Sequence, residues 1–193
     1  MKFYSTALIL LLLGTVPAHA DTAQALSDAA LERTNHRVIY DGAYQSIPYP
    51  GGDVAADRGV CTDVVVRSYR SLGIDLQKAV HEDMRGHFSA YPKNWGLTRP
   101  DRNIDHRRVL NLKTFLKRRG AALPVSENPA DFKPGDLVTW RLSNGLPHMG
   151  VVVDKRSADG KRPMIVHNIG AGPRLEDFLF GATLTGHYRW LPE

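Results

Sequence analysis

The sequence predicts an α+β fold in which N-terminal helices pack on a C-terminal antiparallel sheet. Two observations carry this. Apolar residues recur at helical spacing in the first half, and after Gly120 the chain changes to short runs rich in Val, Ile, Thr and Trp. Turn pairs such as Asn144-Gly145 and Asp159-Gly160 separate those runs, and helices followed by strands indicate segregated layers.

The N-terminus stands apart from that fold. Met1-Lys2 is a short basic start, Ala7 to Leu13 is purely apolar, and Ala18-His19-Ala20 puts small residues where a signal peptidase reads them. The apolar run falls far short of the roughly 20 residues that span a bilayer. Residues 1–20 are therefore expected to be a cleaved export signal, leaving no transmembrane anchor. Removing 20 residues from 193 leaves 173, which fits one domain, 21–193, with its own core.

Thr22 to Thr34 reads as a helix with Ala23, Leu26 and Ala30 on one side. Tyr49-Pro50-Gly51-Gly52-Asp53 is a turn. From Cys61 to Leu72, Val64, Val65, Tyr69 and Leu72 recur at helical spacing, and Gly73 stops the helix. Leu76 to Phe88 reads as another helix. Tyr91 to Arg108 is a polar stretch rich in Pro, Asn, Asp and Arg, expected as a long loop. Val109 to Lys117 is a helix closed by Gly120. Strands are expected at Asp136 to Arg141, His148 to Asp154, Pro163 to Asn168 and Thr183 to Leu191.

Composition narrows the function classes. The net charge of +5 becomes +4 without Lys2, so an exported chain is drawn to anionic surfaces such as cell wall or phospholipid headgroups. The basic residues are scattered and form no nucleic-acid motif, so nucleic acid is not an expected partner. No cofactor motif is present, and a monomer in the bacterial periplasm is expected. Seven histidines remain once His19 is removed from the eight, but none has zinc-site spacing, so no metal is expected.

The chain has one cysteine, which in an oxidising compartment is inert, paired with another chain, or a working thiol. Its neighbours favour work. Cys61 sits where a loop enters a helix, and there the positive end of the macrodipole and free N–H groups lower a thiol pKa. The same N–H groups can hold an oxyanion. Asp63, in the first turn, opposes the shift unless it points away. His148 opens a strand, a rigid place for an imidazole base. His167 or Asn168 is placed to orient that imidazole. Alternation puts those two on opposite faces, so only one of them can. His167 reaches His148 if their strands pair through the Lys155 to Arg162 turn.

These residues carry a resemblance. Tyr49-Pro50-Gly51-Gly52, Cys61-Thr62-Asp63, Pro134-Gly135-Asp136-Leu137-Val138 and His148-Met149-Gly150-Val151 resemble the motifs of NlpC-type papain-like cell-wall peptidases. The whole mature chain resembles the bacterial family called domain of unknown function 1287. The shared stretches are Cys61 to Val64, Asn103-Ile104-Asp105-His106-Arg107, His148 to Gly150, His167 to Gly172 and Gly186 to Arg189. The resemblance implies a papain-like fold with Cys61 as nucleophile, His148 as base and His167 as its orienting group. It places the Tyr49 hydroxyl near the thiol and the oxyanion. The implied partner is peptidoglycan or its peptide fragments.

Three departures bear on substrate, one of them a turn between His148 and His167 that is longer than usual in those peptidases. Asp63 stands where those peptidases carry a small neutral residue, and the Tyr91 to Arg108 insertion has no counterpart in the short NlpC-type domains. Asn103, Asp105, His106 and Arg107 are candidates for a substrate-binding rim, with a solvated loop and a helix cap at Asp105 as the alternative. Arg174, Glu176 and Asp177 follow a glycine-rich turn and are expected to be solvated there, with a place facing the cleft as the alternative, and His187-Tyr188-Arg189 is expected to be structural. The competing reading of the chain is a binding module that keeps the groove without the chemistry.

Overall fold

The computed structural model describes residues 18–192, with side chains from residue 22 onward. Most of the expected export signal, residues 1–17, lies outside the described residues. No described helix is long and apolar enough to cross a membrane.

Helix α1 (Ala18–Glu32) runs into a 3₁₀ turn at Arg33–Asn35. Two short strands follow, β1 (Ile39–Tyr40) and β2 (Arg58–Gly59), paired in parallel. Helix α2 (Cys61–Ser71) ends as Gly73 takes a φ of 79°, with Gly73 and Ile74 donating to the Arg70 and Tyr69 carbonyls. A side chain would be strained at that φ, so the glycine predicted as a stop serves as one. Helix α3 (Leu76–His87) is capped by Asp75, whose carboxylate accepts from the Lys78 N–H at 3.1 Å. Helix α4 (Val109–Arg118) completes the helical layer.

Six strands form one sheet: β3 (Ala122–Leu123), β4 (Leu137–Arg141), β5 (Pro147–Arg156), β6 (Pro163–His167), β7 (Arg174–Glu176) and β8 (Thr183–Tyr188). Their order is β3-β8-β4-β5-β6-β7, and every pairing is antiparallel. The four expected strands are present. Strands β1, β2, β3 and β7 went unpredicted because two or three residues carry no readable alternation. Residues 174–176, expected in a turn, form the edge strand β7 instead.

The sheet is buried on both faces. Met149 and Val151 of β5 join Leu26, Val65, Tyr69, Leu112 and Phe115 in the core against the helices. Val138, Trp140, Val152 and Ile165 point the other way, into a smaller core closed by Phe132 and Leu179. Period-2 alternation sorts these two sets.

Burial also organises charge. Asp63 accepts from Arg107 Nε and Nη2, both at 2.9 Å, with each side chain only 3 % exposed. Asp63 also accepts from the Val60 N–H at 2.6 Å, capping α2. His187, beside the buried Asp136 at 2.7 Å, and the exposed Arg189, bidentate to the same carboxylate, form a second charge cluster that ties the end of β8 to the start of β4. Removing one partner of a buried pair leaves an uncompensated charge. Arg107→Met should therefore cost about 3–5 kcal/mol. The urea midpoint checks it, and an unchanged midpoint would mean that the pair contributes nothing.

Candidate active site

Cys61 is the first residue of α2. Its thiol is 4 % exposed and opens on a cleft of about 1060 Å³. The backbone N–H groups of Met149, Thr62 and Cys61 itself are directed at the sulfur. The expectation of an acidic thiol is nevertheless not met. Burial pushes the Cys61 pKa up to about 11, and the Asp63 charge adds to the rise, against the lowering by those N–H groups. At rest Cys61 is a neutral thiol.

Tyr40 stands beside it and was not singled out in the sequence. The β1–β2 pairing sets Tyr40 next to the loop that leads into α2, and its hydroxyl is hydrogen-bonded to the thiol. Burial, then the neighbouring Cys61, raises the Tyr40 pKa to about 12, so its hydroxyl remains a donor. Tyr49 is elsewhere. It occupies a turn with a cis Tyr49-Pro50 bond, its ring edge-on to His81 at 5.0 Å and under Arg102 at 5.7 Å. The tyrosine beside the thiol is therefore Tyr40, not Tyr49.

His148 lies near the start of β5, and its ring lines the same cleft as Cys61. The register pairs Gly150 with His167, so His148 and His167 share a face on a diagonal. His148 Nε2 lies 2.7 Å from His167 Nδ1, and His167 Nε2 lies 2.7 Å from Glu176 Oε2. Gly150 permits this. A Cβ there would meet Ile165 Cγ2 at 2.7 Å and His167 Cβ at 3.0 Å. Trp140 tilts against His148 at 5.7 Å, and Phe178 against His167 at 4.6 Å. Inside this aromatic box burial, with the adjacent His167, holds the His148 pKa down at about 3. His167 is lowered too, again by burial, with Glu176 opposing.

The other candidates divide. Asn168 turns to the opposite side, where its Oδ1 accepts from the Gly170 N–H at 3.0 Å. His167, not Asn168, is thus the group brought onto His148. Asp63 points away from the thiol into its pair with Arg107. Asn103 holds the preceding loop, accepting from the Ile47 N–H at 3.1 Å and donating to the Tyr44 hydroxyl at 2.7 Å. Asp105 is buried and accepts from Arg108 at 3.1 Å. His106 is 2 % exposed, and burial lowers its pKa to about 4. These three residues anchor the 91–108 segment and do not line the cleft. Trp95, Ile104, Arg107 and Arg108 of that segment do.

A neutral thiol at a helix start, sharing a cleft with a carboxylate-backed histidine pair, is the arrangement of a thiol–imidazole site on an α+β scaffold. The chain belongs to the family described as Domain of unknown function (DUF1287), whose model matches residues 27–190. It is 51% identical over 175 residues to the "Uncharacterized protein YijF" of Escherichia coli (strain K12), covering 91% of this chain and 85% of that protein. Among solved structures it is similar to NlpC1 from Trichomonas vaginalis, at 14% identity and a TM-score of 0.44. That match covers 90% of this chain, and the chain spans 45% of that structure's length.

Two outcomes follow from these pKa directions. Alkylation of Cys61 by iodoacetamide should rise with pH through a midpoint above the free-thiol value of about 8.5; a midpoint below 7 would contradict the neutral thiol. Stability should fall in mild acid. The unfolded chain protonates its histidines below about pH 6.5, whereas folded His106 resists to about 4 and His148 to about 3. Stability is therefore lost as pH drops from about 6.5 toward 4. His106→Gln should flatten the fall in urea midpoint over that window, and an equal slope in both proteins would refute it.

Proposed function

We propose that this chain is an exported cysteine hydrolase that cleaves amide bonds in peptidoglycan stem peptides. The observation that carries the reading is that Cys61 and a His148 backed by His167 and Glu176 open on one cleft. A neutral thiol needs a base at the moment of attack. His148 Nε2 is engaged by His167, which leaves Nδ1 for the cleft. Cys61 Sγ attacks the carbonyl carbon as its proton passes to His148 Nδ1. The Tyr40 hydroxyl and the N–H groups at the start of α2 are the donors for the oxyanion. His148 returns the proton to the departing amine, and water then hydrolyses the thioester.

The cleft wall supports an anionic substrate. Three arginines line it and no Asp or Glu does. Arg107 spends its donors on Asp63 and on the Ala43 and Asp41 carbonyls. Arg108 is shared between Asp105 and the face of Trp95, 4.1 Å from the ring centroid. Arg141, at the end of β4 and opposite Pro147, is exposed and has no ion pair among the described residues. A peptide with a free carboxylate near the scissile amide fits such a wall.

The test is incubation of the mature protein with purified peptidoglycan and isolated stem peptides, with products read by mass spectrometry. Cys61→Ala and His148→Ala should each lower turnover by about 10³-fold or more. Arg141→Gln should raise KM about tenfold with kcat held, the loss of one charge-assisted bond. Absence of cleavage by the wild type, with wall binding equal in Cys61→Ala, would instead establish a binding module.

A further inference from the structure

Glu176 sits on the edge strand β7 with its side chain 41% exposed, while the His167 ring it touches is 0% exposed. An ionised carboxylate only accepts hydrogen bonds. His167 must then donate from Nε2 to Glu176, 2.7 Å away. Burial keeps His167 toward its neutral form. A neutral imidazole that donates at one nitrogen accepts at the other. Nδ1 of His167 is therefore an acceptor, and the atom 2.7 Å from it, His148 Nε2, must carry a hydrogen. The remaining nitrogen of His148, Nδ1, is left with its lone pair.

We propose that Glu176 is a positioning residue that sets the tautomer of both imidazoles, so that the His148 nitrogen available to the cleft is always the basic one. It acts through His167 and touches neither thiol nor substrate. The inference rests on the hydrolase reading for its purpose but not for its chemistry. A bare pair of histidines would have no such preference. Either ring can donate to the other, and the reversed order places a hydrogen on the cleft-facing nitrogen and abolishes the base. Trp140 and Phe178 offer the pair ring faces with no acceptor to break the tie. Glu176 breaks it from the solvent side.

The test uses the mature protein with ¹⁵N-labelled histidine, in wild type and in Glu176→Gln, Glu176→Lys and Glu176→Asp. Long-range ¹⁵N–¹H spectra at neutral pH report which ring nitrogen carries hydrogen, and thermal unfolding confirms that each variant is folded. Both wild-type rings are expected to carry hydrogen on Nε2. Glu176→Lys presents a donor and should reverse both rings. Glu176→Gln, which can offer oxygen or N–H, should give a mixture. Glu176→Asp should restore the wild-type pattern. Iodoacetamide alkylation of Cys61 at the same pH should fall about tenfold in Glu176→Lys and less in Glu176→Gln. Wild-type rings with hydrogen on Nδ1, or tautomers indifferent to residue 176, overturn the proposal. Neither readout needs a substrate. Tautomers and alkylation that follow residue 176 in a protein that cleaves no wall peptide would therefore uphold Glu176 and remove the hydrolase reading alone.

Discussion

The pairing of Asp63 with Arg107 is the constraint on which the site depends. Asp63 caps the helix that carries Cys61, and Arg107 answers it from the 91–108 segment. Arg107 also donates to the carbonyls of Asp41 and Ala43, just beyond the strand that holds Tyr40. The Arg107 carbonyl accepts from the Thr62 hydroxyl at 2.8 Å. One buried guanidinium thus links the start of α2, the tyrosine strand and the long insertion. The carboxylate that the sequence placed too close to a thiolate is neutralised by a residue 44 positions away in the chain. Its charge still raises the thiol pKa, though by less than burial does.

That burial changes the chemical style of the site. A thiol held up near 11 and an imidazole held down near 3 do not exchange a proton at rest. Such a pair waits as two neutral groups, and little thiolate stands ready at neutral pH. For a chain proposed to meet the wall that encloses its own cell, a nucleophile that is quiet when empty limits unintended acylation and oxidation.

Much of this was legible in the sequence, for reasons that differ by element. Amphipathic spacing from Cys61 to Leu72 and the stop at Gly73 marked α2, because a helix that buries one face must repeat at 3.6 residues. Alternation marked β4, β5 and β6, and with it the shared face of His148 and His167. Tyr40 was hidden because it lies on a two-residue parallel strand, whose pairing is decided by tertiary contacts alone. The Tyr49 motif drew attention through its resemblance to a family motif, yet its ring is held by His81 and Arg102. Glu176 was obscured by the glycine-rich stretch before it, which reads as a turn and masks the three-residue strand β7. Asn103, Asp105 and His106 were recognised as a cluster, but burial, which a sequence does not print, makes them anchors.

The connectivity of the sheet has one more consequence. The Tyr69 hydroxyl on α2 donates to the Trp190 carbonyl at 2.7 Å, across 121 residues of chain. Within the sheet, Ser27 of α1 accepts from the Asp154 N–H toward the far end of the strand that holds His148. The helix bearing the thiol is therefore clamped by a residue synthesised long after it. During translation Cys61 emerges long before His167, Glu176 and Phe178, and the box that insulates the histidines closes only when β7 and the segment behind it arrive. A partial chain carries Tyr40 and Cys61 but not the histidine pair or its carboxylate. The site can therefore be assembled only after β7 has emerged.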